Sequence, residues 1–209
     1  MTALNAVTDY ALDSEVGVIT LNSPPVNALS APVRDGLSEG MKAGLADPGA
    51  TAIVIICEGR TFIAGADITE FGGAQKGASL FDVMNAMEGS SKPVIAAIHG
   101  TALGGGLETA LCCHYRVAVP SARCGLPEVN LGLLPGAGGT QRLPRIVGVE
   151  KALEFMTSGT HVPAKACLEM GLVDEIVEEG KLRDTVGIQR RLVGRAHLRE
   201  GQRSIKVRE

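Results

Sequence analysis

Two glutamates stand where carboxylates could do acid–base work. Glu108 follows Gly104-Gly105-Gly106-Leu107 and has Leu103, Ala110 and Leu111 nearby in sequence; Glu128 follows Leu126-Pro127 and precedes Val129. A carboxyl among apolar neighbours either faces solvent or is buried, and burial raises its pKa toward the range useful for proton transfer. Two such groups beside one polarised carbonyl could divide the acid and base roles. Spacing alone fits ordinary placements more readily: Glu108 as a first-turn charge favourable to a helix dipole, Glu128 as an exposed loop charge.

Polarising a carbonyl requires donors, and two loops could supply them. Phe62-Ile63-Ala64-Gly65-Ala66-Asp67-Ile68 follows the apolar run 52–57, and Gly104-Gly105-Gly106-Leu107-Glu108 follows the run 94–98. Small residues let the backbone approach a ligand, and N–H groups at a helix start are unpaired. One amide from each loop would make an oxyanion hole. Close packing of a helix on a sheet explains the glycines equally well.

Several other chemistries lack their residues. The stretch 136–142, Gly-Ala-Gly-Gly-Thr-Gln-Arg, shares glycine content with a phosphate loop but has neither its Lys-Ser/Thr nor the G-x-G-x-x-G of a dinucleotide site. The four histidines, His99, His114, His161 and His197, have no metal-ligand spacing, and no serine sits in G-x-S-x-G. Neither a metal nor a nucleophilic serine is expected.

The elements that must position these loops read as alternating strands and helices. Residues 16–21 alternate with β-branched side chains and run into Asn22-Ser23-Pro24-Pro25. Ser30 is a candidate N-cap for a helix with Val33, Leu37, Met41 and Leu45 at helical spacing, closed by Asp47-Pro48-Gly49. The continuous apolar runs 52–57 and 94–98 read as strands buried on both faces, hence a parallel sheet. Between them Leu80, Val83, Met84 and Met87 have helical period, and Leu107, Ala110, Leu111 and His114 share one side of the next helix. Residues 116–119 and 172–177 read as strands; 140–147, 149–157, 164–170 and 182–196 read as helices. The expected class is α/β, with chemistry at strand-to-helix loops.

Composition limits the partners. The 209 residues carry 20 Lys/Arg and 23 Asp/Glu, a net charge of −3, and six aromatics. That balance disfavours a nucleic-acid binder. Residues 181–209 hold nine Lys/Arg against three Asp/Glu, a basic tail separate from the core at 1–180. The 27 glycines, about 13% of the chain against an average near 7%, show no G-X-Y period and serve turns and close approaches. Five cysteines without C-x-x-C read as reduced core residues, which implies a reducing compartment, the cytoplasm. The start lacks a cationic n-region, and the least charged stretch, 93–115, contains four glycines and Glu108, so neither a secretory signal nor a membrane span is expected.

Taken in order, Phe62 to Ile68, Lys92-Pro93-Val94-Ile95-Ala96-Ala97-Ile98-His99-Gly100 leading to Gly104-Gly105-Gly106-Leu107-Glu108, and Leu126-Pro127-Glu128 through Pro135-Gly136-Ala137-Gly138-Gly139-Thr140-Gln141-Arg142-Leu143 resemble the enoyl-CoA hydratase/isomerase, or crotonase, family. The resemblance covers about residues 10–180. The wording Cys113-His114-Tyr115-Arg116-Val117 and Gly132-Leu133-Leu134-Pro135 is most similar to the hydratase/isomerase part of bifunctional enzymes with a downstream 3-hydroxyacyl-CoA dehydrogenase.

The resemblance implies a spiral of ββα units that binds an acyl-CoA thioester, with coenzyme A part of the substrate and no separate cofactor. Ala66 and Gly105 would donate the oxyanion-hole amides. Glu128 would protonate the α-carbon and Glu108 would activate water, hydrating trans-2-enoyl-CoA to 3-hydroxyacyl-CoA. With Glu128 acting alone, Δ3-Δ2 isomerisation becomes a second activity. Val26, Ala28, Ala64, Gly65, Asp67, Ile68, Gly104, Pro127 and Gly136 complete the implied substrate-binding set, Asp67 and Ile68 as loop-shaping residues.

Two departures stand out. Many family hydratases carry a Lys near the CoA phosphates where this chain has Pro24-Pro25-Val26. Family members also continue into a helical C-terminal region that covers the acyl site and mediates trimers, or use a linker helix from later in a bifunctional chain. The C-terminal helical region here is expected to be short or incomplete. A homotrimer or a downstream dehydrogenase domain are the implied partners. The rivals are an isomerase only, and an acyl-CoA-binding fragment or subunit without independent turnover.

Overall fold

The computed structural model describes residues 1–70, 72 and 76–183. The helix expected at 182–196 lies outside the described residues from position 184 onward, as does most of the basic tail.

Strands β1 (Thr2–Asn5), β2 (Thr8–Asp13) and β3 (Val16–Leu21) form an antiparallel meander. Helix α1 (Ala31–Ala46) leads to β4 (Ala52–Cys57), and α2 (Leu80–Glu88) leads to β5 (Val94–Ile98). The chain continues through β6 (Thr101–Leu103), α3 (Gly105–Cys112), β7 (Tyr115–Ala118) and β8 (Arg123–Gly125). A 3-10 turn at Pro127–Leu131 precedes α4 (Gly139–Val147), α5 (Val149–Ser158), β9 (Val162–Pro163), α6 (Ala164–Glu169) and β10 (Glu175–Ile176).

These elements build two sheets. The larger has the order β1-β2-β3-β4-β5-β7-β10, parallel from β3 to β10, and the smaller is β6-β8-β9. Each full turn of the chain places a strand in the large sheet, a short parallel segment in a second layer, and then a helix. β5-β6-α3 is one such turn; β4 with Ile63, which bridges Ala102 in parallel, and α2 make the preceding one. This is the ββα spiral of the resemblance.

The apolar runs dictate the centre of the large sheet. Every residue of β4 and β5 is buried, as expected for strands covered on both faces. Helix α1 buries Val33, Leu37 and Met41. Its N-terminus departs from expectation: Ser30 makes no side-chain cap, and Glu70 Oε1 instead accepts the Ala31 N–H at 2.8 Å. A carboxylate from a distant loop thus meets both the orphan donor and the helix dipole.

Other boundaries shift. The strand expected at 172–177 is paired only at Glu175–Ile176, because Leu172 and Val173 are buried in a turn. Helix α3 ends at Cys112, and His114 lies beyond it, its Nδ1 accepting the Val94 N–H at 3.0 Å. All five cysteines are buried and lie outside any disulfide. No helix among the described residues is long and apolar enough to cross a membrane.

Candidate active site

The two glycine-containing loops meet because α3 begins directly on the other loop's backbone. Leu103 N–H donates to Ile63 O at 3.0 Å, and a Cβ on Gly106 would stand 2.0 Å from that same carbonyl. Only glycine permits this approach. Just before it, Gly104 adopts φ +50°, where a side chain would strain the backbone. The result places Ala66 N within 3.7 Å of where a Cβ on Gly105 would be. Among the described residues, neither the Ala66 nor the Gly105 amide donates to a protein group. Two unpaired donors therefore share one wall, so the glycines do more than pack a helix.

Glu108 lies in the first turn of α3 and is 2% exposed. It is not a surface charge on a helix dipole. Its Oε1 accepts the Ala137 N–H at 2.8 Å and the Gly139 N–H at 2.7 Å. Burial pushes its pKa above the usual carboxyl range, while these two amides and the Arg142 charge oppose the rise.

Glu128 comes from the 3-10 turn and is half-buried, in contrast to the exposed placement that spacing favoured. Its Oε1 lies 3.1 Å from the position of a Cβ on Gly104, and its buried Oε2 has no hydrogen-bond partner among the described residues. Burial raises the Glu128 pKa, its own backbone N–H lowers it, and the nearby Glu108 charge raises it further.

Both carboxylates line one cavity of about 440 Å³, together with Ala64, Gly65, Ala66, Gly104, Gly105, Pro127, Gly136 and Ala137. Its outer wall is apolar: Ile68, Leu80, Phe81, Leu131, Leu133 and Leu134. Several of these face solvent, Leu134 being 81% exposed and Phe81 56%. Of the expected set, Val26, Ala28 and Asp67 stand outside this lining. Val26 O accepts the Ala64 N–H at 3.2 Å, and Ala28 precedes Leu29, which bridges Ala66. Asp67 Oδ1 accepts from Thr69 N–H and Oγ1 at 3.0 and 2.7 Å, which shapes the loop and lowers its pKa.

Sequence reasoning missed Leu80, Phe81, Leu131, Leu133, Leu134 and Ala137 as cavity residues. A signal existed at Phe81, an aromatic beside the core stripe of Val83, Met84 and Met87 and not on it.

Residues 12–205 match the enoyl-CoA hydratase/isomerase family. The chain belongs to that family. It is 54% identical over 164 residues to the peroxisomal bifunctional enzyme of Danio rerio, a match covering 78% of this chain and 23% of that protein. It therefore spans less than a quarter of that relative's length. A probable enoyl-CoA hydratase of Bacillus subtilis is 45% identical over 195 residues, covering 85% of this chain and 74% of that one. The crystal structure of an enoyl-CoA hydratase from Bacillus anthracis superposes with a TM-score of 0.81 at 32% identity, covering 90% and 76% of the two chains. This family member thus has the crotonase fold.

Proposed function

We propose that this family member hydrates trans-2-enoyl-CoA to 3-hydroxyacyl-CoA. The observation that carries the reading is the convergence of Glu108 and Glu128 in one cavity with two backbone donors that have no partner among the described residues. In this reading the Ala66 and Gly105 amides bind the thioester oxygen and stabilise the enolate charge that develops there. Each such donor contributes about 2.7–4 kcal/mol in comparable sites.

Glu108, ionised, takes a proton from water as the oxygen adds to the β-carbon. Glu128 delivers a proton to the α-carbon, so one water is added across the double bond. Burial, which raises the Glu128 pKa, favours the protonated form from which it donates. The Bacillus subtilis relative, named a probable enoyl-CoA hydratase, supports the assignment. With Glu128 acting alone, the same hole supports Δ3-Δ2 isomerisation. A binder without turnover is not favoured, because neither glutamate is idle at the surface.

Coenzyme A is part of the substrate, and no separate cofactor is invoked. Pantetheine would run past Val26, Ala28 and the 64–68 loop. Homotrimerisation or a downstream dehydrogenase domain are the proposed partnerships, the latter supported by the bifunctional Danio rerio relative. Five cysteines outside any disulfide agree with a reducing compartment such as the cytoplasm; the Danio rerio relative is peroxisomal by name. The deciding experiment follows the loss of enoyl-thioester ultraviolet absorbance with crotonyl-CoA, with Glu128→Gln alongside. Turnover reduced at least about a hundredfold in the variant supports the mechanism. Near-wild-type turnover in the variant refutes it.

A further inference from the structure

Arg142 extends from α4 and is held at three points. Its Nε and Nη2 donate to Glu88 Oε1 and Oε2 at 2.9 and 2.8 Å, a bidentate pair across to the end of α2. Its Nη1 donates to Ala137 O at 3.1 Å. Ala137 is also the residue whose N–H binds Glu108 Oε1. Between them, Gly138 has φ +93°, and a Cβ there would stand 2.1 Å from Arg142 Nη1. The guanidinium thus lies where a side chain would otherwise be.

These contacts join the apolar wall to the carboxylate. Helix α2 carries Leu80 and Phe81 in the cavity wall at one end and Glu88 at the other. From Glu88 the path runs through Arg142 and the 136–139 turn to Glu108. A planar fork can hold a carboxylate and a carbonyl together; an ammonium cannot do so with the same geometry.

We infer that Arg142, oriented by Glu88, is a positioning residue for Glu108: it fixes the 136–139 turn so that the Ala137 and Gly139 amides stay on one carboxylate oxygen. The inference rests on the hydration reading for its kinetic consequence, since it needs Glu108 ionised and aimed at water. Arg142's charge acts in the same direction, opposing the desolvation that raises the Glu108 pKa. The other titratable groups around this pair are Glu88, Glu128 and the Cys112 thiol, which burial keeps protonated.

The test compares the whole chain with Arg142→Met, Arg142→Lys and Glu88→Gln on two readouts. One is crotonyl-CoA hydration across about pH 5 to 9. The other is the 13C NMR titration of the Glu108 carboxyl in glutamate-labelled protein, assigned by its loss in Glu108→Gln. Arg142→Met is expected to lower kcat about 10–100-fold with KM within about twofold. Its acid limb and its Glu108 titration should both move up by about one pH unit. Arg142→Lys keeps the charge without the fork, so it should restore the titration only in part and kcat little, and Glu88→Gln should give an intermediate kcat.

A folded Arg142→Met with wild-type kcat and an unmoved Glu108 titration overturns the inference. Should Arg142→Met fail to fold, unchanged kcat in both Arg142→Lys and Glu88→Gln overturns it instead. If the wild-type chain does not hydrate crotonyl-CoA, the hydration reading fails separately. The titration of Glu108 then still decides the positioning role, an unmoved midpoint in Arg142→Met, or in both Arg142→Lys and Glu88→Gln where Arg142→Met does not fold, refuting it.

Discussion

The Gly139 amide donates to Glu108 Oε1 at 2.7 Å, and a Cβ on that glycine would stand 3.0 Å from the same oxygen. Donor and absent side chain are therefore one requirement. Gly139→Ala should displace the carboxylate and lower hydration about tenfold or more, with KM little changed. Crowding a packed site also costs about 1–3 kcal/mol, so the melting temperature should fall by a few degrees. Steady-state kinetics and calorimetry check both; unchanged kcat would mean that Glu108 tolerates the displacement.

Glu128 should show a conflict between activity and stability. Its pKa is raised in the folded state, first by burial, so folding favours its protonated form. Stability from this group is complete below the unfolded value near about 4.3 and is lost as pH rises through the folded value. Glu128→Gln, expected to lose hydration, should therefore melt above wild type at about pH 8, with the difference disappearing near about pH 4. Paired melting curves across that range test it, and a variant less stable than wild type at high pH would reverse the sign.

How much of this was legible beforehand follows from where each residue gets its structure. The strands β4 and β5 were readable because continuous apolar runs bury on both faces, and α1 because Val33, Leu37 and Met41 keep one stripe. The edge strand β1 and its neighbour β2 were not, since β1 has no buried position and β2 mixes buried with exposed positions. Strands as short as Val162–Pro163 depend on the partner they meet and have no local period. The cavity floor was named by its glycines and the resemblance. Its outer wall was not, because Leu131 and Leu134 are exposed leucines whose shared cavity is created only by the fold.

That wall predicts chain-length selectivity. Phe81 lines the cavity yet is 56% exposed, so an acyl tail lying against it would remove apolar surface from water. Phe81→Ala should lower kcat/KM for a ten-carbon enoyl-CoA about fivefold, equivalent to about 1 kcal/mol of lost burial. Crotonyl-CoA, too short to extend far along the wall, should change less than about twofold. Equal losses on both substrates would place the tail elsewhere.

Arg116 makes a separate, structural prediction. It is fully buried between the end of α3 and the turn before β10, donating from Nε to Leu172 O at 2.6 Å and from Nη1 to Cys113 O at 2.8 Å. Its Nη2 lies 3.5 Å from the buried Asp174 Oδ2, which also accepts the Arg116 N–H at 2.8 Å. Arg116→Met keeps much of the volume but removes the cation facing that carboxylate and the donors for two buried carbonyls. Breaking such a pair costs about 3–5 kcal/mol, because the remaining charge stays buried. Urea unfolding should show that loss, and Arg116→Met/Asp174→Leu should recover part of it. The double variant also removes the buried carboxylate that the cation faced, so a double variant weaker than the single one would show that the Arg116 N–H bond to Asp174, lost only in the double variant, outweighs the relief of that charge.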